Sequence, residues 1–86
     1  MTKEQIHDQI KAVSTAYYKL PSAPKLMTIG WNTNEALKFS LESNKIATKI
    51  QNAISEAIFG NFDKAALIID EAAEKVFNLF NEIIRH

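Results

Sequence analysis

The chain has 86 residues, with ten basic and ten acidic side chains and no cysteine. That length fits a single domain, residues 1–86, whose small core leaves stability modest unless self-association adds to it. Neutral overall charge supplies no long-range pull toward DNA or an anionic membrane, and the missing cysteines remove disulfides, thiolate metal sites and cysteine nucleophiles together.

The opening segment MTKEQIHDQI lacks the apolar stretch of a signal peptide, and no apolar run approaches the roughly 20 residues of a membrane span. The expectation is a soluble, cytoplasmic protein. Thr2 and Gln5 have capping-box spacing, and Ile6, Ile10, Val13, Tyr17 and Leu20 recur at intervals of four and three. This predicts a first amphipathic helix over about 2–20, stopped by Pro21.

Residues 21–32 form a connector that holds both prolines, one of the two glycines and the single tryptophan, Trp31. With Leu26, Met27 and Ile29 it is too apolar for a solvated loop, so it is expected to be an ordered element. Two readings of it compete. In one, its apolar residues lie across the other helices as a lid and Lys25 points to water. In the other, Lys25 and Thr28 hold a phosphate oxygen while Tyr17, Tyr18 or Trp31 stacks on a base, and unpaired amides near Gly30 and the following helix start add donors.

Asn32 and Glu35 repeat the capping-box pattern, and Ala36, Phe39, Ser43, Ile46, Ile50, Ala53 and Ala57 continue the helical rhythm to Phe59 and Gly60. A helix over about 33–59 follows, with the cluster Glu42 to Lys45 as a place for a bend. Its opposite face, Lys38, Glu42, Lys45, Lys49, Asn52 and Glu56, carries both signs of charge and reads as solvated. After Asn61, Phe62, Ala66, Ile69, Ala73, Val76, Phe80 and Ile83 define a third helix over about 62–85. Its apolar arc is wider than one neighbour can cover, and the surplus should meet the first helix or another copy of the chain. The fold class is therefore all-α: a short N-terminal helix, an ordered connector and a long antiparallel helical hairpin, a three-helix bundle expected to be oligomeric.

Nothing in the pattern supports an enzyme. His7 and His86 are far apart in sequence, the second at a fraying helix end, and neither belongs to a nucleophile motif. Asp70, Glu71 and Glu74 have no Glu-x-x-His partner, so no metal is expected, and Glu71 is placed to pair with Lys75. FGNF lacks the Gly-Lys-Ser/Thr of a phosphate loop, and no cofactor is expected.

The hairpin AISEAIFGNFDKAALIIDEAAEKVFNLF resembles the helical pair of tetratricopeptide repeats and of microtubule-interacting-and-transport domains, at Ala53, Gly60, Phe62, Ala65, Ile69 and Ala72. It covers about a third of the chain, has no second copy and reads as convergent helical packing. A short aromatic-bearing helix, a loop with lysine and threonine, then two long antiparallel helices is a layout similar to the phage anti-CBASS proteins, which sequester cyclic oligonucleotide signals. That resemblance implies a non-enzymatic homo-oligomer in the host cytoplasm that binds a cyclic di- or oligonucleotide. Tyr17 or Tyr18 would stack on the base, and Lys25 and Thr28 would contact phosphates. The alternative is a small helical inhibitor or adaptor that binds a protein through an exposed apolar patch, with Trp31, Met27 and Phe80 as anchors.

Overall fold

A computed structural model describes residues 2–86 and contains four helices: α1 (Lys3–Tyr18), α2 (Ala23–Thr28), α3 (Thr33–Ile58) and α4 (Phe62–Arg85). The three long helices lie where periodicity places them. The connector is ordered, as expected, and holds a further short helix, α2. Its start and stop follow local rules. Ser22 Oγ accepts the Lys25 amide at 3.4 Å, and Pro24 sits in the first turn, where a missing N–H costs nothing. Gly30 ends it with φ of 104°, its amide donating to Met27 O at 3.2 Å and the Trp31 amide to Leu26 O at 3.1 Å. That pair of bonds is a Schellman motif.

The hairpin turn repeats the device. Gly60 has φ of 82°, its amide donates to Ala57 O at 3.1 Å, and the Asn61 amide reaches Glu56 O at 2.9 Å. An L side chain in this conformation costs about 1–2 kcal/mol, which is why glycine stands at both stops. Both predicted capping boxes form. Thr2 exchanges bonds with Gln5 at 2.9 and 3.2 Å, and Asn32 with Glu35 at 3.2 and 2.8 Å. The helix α3 runs uninterrupted through Glu42–Lys45.

The hairpin α3–α4 is the frame of a molecule 43 Å in its longest dimension, and α1 packs on both of its helices. Ala36, Ala53, Ala65 and Ala72 are fully buried, small side chains that let the helices approach closely. Around them Ile6, Phe39, Ile46, Ile50, Ile69, Val76 and Leu79 fill the core. Since α1 is shorter than the hairpin, the remaining part of the α3 surface is covered by α2 and Trp31, with Leu26 completely enclosed. The lid reading therefore holds for Leu26 and Trp31. It does not extend to Met27 and Ile29, which are exposed.

The α4 surplus is only partly covered. Ala66, Phe80 and Ile83 pack at the core margin, while Leu67, Phe77 and Ile84 stay exposed. The charged flank of the hairpin is solvated and cross-linked. Lys49 Nζ lies 2.8 Å from Glu71, Lys45 lies 3.0 Å from Glu42, and Lys64 lies 3.6 Å from Glu56. Glu71 thus bonds across the hairpin to Lys49 instead of along α4 to Lys75, because the facing helix offers a closer ammonium group.

Candidate functional site

Four of the candidate residues sit on the last turn of α1 and the short α2, elements that follow one another in sequence without packing together. At the end of α1 the two tyrosines separate by burial. Tyr17 packs against the core, whereas Tyr18 is 81% exposed and meets the Tyr17 ring edge-on at 5.5 Å. Of the pair, only Tyr18 offers most of a ring face to a ligand. On α2, Lys25 and Thr28 are both exposed and stand one turn apart, a spacing that shares a helix face. The Thr28 hydroxyl donates to Lys25 O at 2.6 Å, with Pro24 O at 3.3 Å, so its proton is committed to the backbone and its oxygen keeps an accepting role.

Trp31 is elsewhere. It is 7% exposed, its ring meets Phe39 edge-on at 5.5 Å, and His86 stacks on it at 4.1 Å with 14° between planes. It is a core residue, and a base-stacking role would require opening that stack. Of the five candidates, Tyr18, Lys25 and Thr28 are presented at the surface, Tyr17 supports Tyr18, and Trp31 belongs to the lid.

Four of the amides near Gly30 and the α3 start are engaged. Gly30 and Trp31 donate into α2, Asn32 donates to Glu35 Oε1, and Glu35 donates to Asn32 Oδ1. The capping box thus engages the amides of Asn32 and Glu35 and leaves those of Thr33 and Asn34, in the first turn of α3, without a protein acceptor, beside the Glu35 carboxylate.

Electrostatics still favour an anion at α1–α2. Between Asp8 and Glu35 the chain has Lys11, Lys19 and Lys25 and no acidic residue. Neither Lys19 nor Lys25 forms an ion pair within 4.0 Å among the described residues. The contrast with the cleft beyond Trp31, of about 360 Å³, is sharp. Glu35, Glu42 and Glu82 line it together with Lys38, Arg85 and His86, a mixed wall without a surplus of positive charge.

That cleft contains the constellation the sequence concealed. His86 was expected to fray, yet its backbone continues the helical bonding to Glu82 O at 3.0 Å and its Nε2 lies 3.0 Å from Glu35 Oε2. Glu35 is held below the usual glutamate value of 4.5, first by the Asn32 amide and then by His86. The only signal in the sequence was the helical length itself: a hairpin with arms of 26 and 24 residues brings the two open ends level.

A third surface lies at the hairpin turn. An apolar groove of about 540 Å³ runs between Ile6 and Ile10 of α1 and Ile54 and Ile58 of α3, floored by Phe62, with Lys3 and His7 on its rim. Ile58 and Phe59 project beside it, 77% and 79% exposed. No cluster of metal-ligating side chains occurs among the described residues, and no helix is long and apolar enough to cross a membrane. No protein-family model, curated protein or solved structure matches the chain.

Proposed function

We propose that the protein is a non-enzymatic binder that sequesters an anionic cyclic nucleotide at the α1–α2 junction. The observation that carries this is an exposed ring, Tyr18, followed in the chain by Lys19 and Lys25 on a stretch free of carboxylates. An aromatic face stacks on any base, and an unpaired ammonium group attracts phosphate. Tyr18 supplies the stacking face, Lys25 the charge, and Thr28 an oxygen that accepts from a ribose hydroxyl or a base amine. One copy surrounds a ligand on one side only. The exposed Leu67, Phe77 and Ile84 of α4 suit the formation of a homo-oligomer that closes the other side. By its likeness in layout to the anti-CBASS proteins, such a binder would be phage-encoded and would blunt a host defence signal in the host cytoplasm.

A thermal-shift panel of cyclic di- and trinucleotides tests the reading. A saturable rise in Tm is expected with at least one member, lost in Lys25→Ala and weakened in Tyr18→Ala. A panel that leaves Tm unchanged throughout rejects it.

A second reading, an adaptor or inhibitor that binds a protein, is favoured by the groove at the hairpin turn and the projecting Ile58 and Phe59. Its anchors differ from those the sequence suggested, since Trp31 is buried and Phe80 half-buried, leaving Met27 of the original three. A stoichiometric partner retained by the wild type and lost with Ile58→Asp would favour this reading over sequestration.

A further inference from the structure

We infer that His86, Glu35 and Trp31 form a proton-dependent latch that fastens the end of α4 to the start of α3 and to the lid. The three side chains come from separate segments and meet at the open end of the hairpin. Trp31 precedes the α3 cap and covers Phe39. Glu35 uses one carboxylate oxygen, Oε1, to accept the Asn32 amide at 3.2 Å and the other, Oε2, to meet His86 Nε2 at 3.0 Å. The His86 ring lies flat on the indole at 4.1 Å and 14°. One imidazole thus touches a member of the α3 capping box and the residue that seals the core.

A proton on that imidazole changes both contacts in the same direction. With Glu35 it turns a bond between a neutral donor and a carboxylate into one between opposite charges. Against Trp31 it places a cation over the face of the best cation–π acceptor, well within the roughly 6 Å at which that attraction operates. The other charged groups facing the cleft are Lys38 and Glu42 of α3 and Glu82 and Arg85 of α4. With Glu35 they give three carboxylates against two permanent cations around the imidazole. The latch therefore tightens as the imidazole gains a proton and loosens as it gives it up. Loosening frees the last turn of α4 and uncovers the indole. The device needs Glu35 ionised, and its bond to the Asn32 amide keeps it so.

Trp31 is the only tryptophan, so indole fluorescence arises from this site alone. A protonated imidazole stacked on an indole quenches it by accepting an excited-state electron. The full chain is titrated from pH 8 to pH 5 at constant ionic strength with excitation of Trp31. A single-proton fall in emission is expected. His86→Gln, which retains an amide able to donate to Glu35, should show unchanged far-ultraviolet circular dichroism and no fall. His7→Gln should retain the transition, and Glu35→Gln should move it to lower pH. A wild type with flat emission across the range overturns the latch, and so does a transition that survives in His86→Gln.

Discussion

Leu26→Ala tests whether the connector is held by its single enclosed side chain. Leu26 has no exposed surface, and α2, at six residues, is too short to be stable without packing. The substitution removes three carbons from a dry site. At about 0.8 kcal/mol per buried methylene the transfer contribution is about 2.4 kcal/mol, and a residual cavity raises the loss to about 3–4 kcal/mol. A domain of this length has a total stability of roughly 4–13 kcal/mol, so the change is a large fraction of it. Urea denaturation followed by Trp31 fluorescence and by circular dichroism measures the loss. At about 4–8 °C per kcal/mol, Tm should fall by at least about 10 °C. Met27→Ala is the control: the neighbouring side chain is 45% exposed and should cost less than about 1 kcal/mol. A Leu26→Ala loss below about 1 kcal/mol, or one no larger than the control, would refute the claim that α2 is anchored through this residue.

Two further outcomes follow from polar groups. Gln9 Oε1 is enclosed without a hydrogen-bond partner among the described residues, a defect worth about 1–3 kcal/mol, so Gln9→Leu should raise Tm by several degrees in a thermal melt; an unchanged or lower Tm speaks against the orphaned oxygen. The second outcome concerns acid. Glu35 is held below 4.5 first by the Asn32 amide, Glu42 by its bond to Lys45 and Glu71 by its bond to Lys49. Depressed carboxylates stabilise the fold above their unfolded value, and that contribution disappears as pH falls through the folded values. Through these groups Tm should hold above about pH 5 and fall below about pH 4.5, the fall being shallower in 1 M salt because all three are at the surface. A Tm independent of pH down to about 3 would contradict the assignment.

Most of the frame was legible because helical signals are local. Capping boxes at Thr2 and Asn32, the break at Gly60 and the spacing of Ile46, Ile50, Ile69 and Val76 each depend on residues within a few positions. The short α2 was written in the same code, with Ser22 as cap, Pro24 in the first turn and Gly30 after the end. It was read as a connector because six residues are too few for a hydrophobic period to show, and Pro24 draws the eye as a breaker. What the sequence could not reveal were pairings across the bundle. Lys49 meets Glu71 over a separation of 22 residues, and His86 meets Glu35 over 51. For Glu71 the intrahelical neighbour Lys75 looked sufficient and His86 stood at a helix end, and only the register of the antiparallel arms decides otherwise. Tyr17 and Tyr18 could not be ranked for the same reason. Consecutive helix positions differ by about 100°, and which one faces the core depends on where the shorter helix sits.

The distribution of charge narrows the place where an anionic ligand can bind more than the pockets do. A cleft draws an anion in proportion to the unbalanced positive charge near it, and cations already matched by carboxylates contribute little. On the hairpin flank, Lys45, Lys49 and Lys64 each have a carboxylate within 4.0 Å. In the cleft beyond Trp31, Lys38 and Arg85 share the space with three glutamates. The groove at the turn is apolar but for Lys3 and His7 on its rim, which suits a side chain better than a phosphate. Among the described residues, only the end of α1 and the short α2 combine lysines, an exposed ring and a long absence of acidic residues. Exchanging Lys25 for glutamate should therefore weaken anion binding far more than exchanging Lys38, although Lys38 borders the more clearly formed cleft.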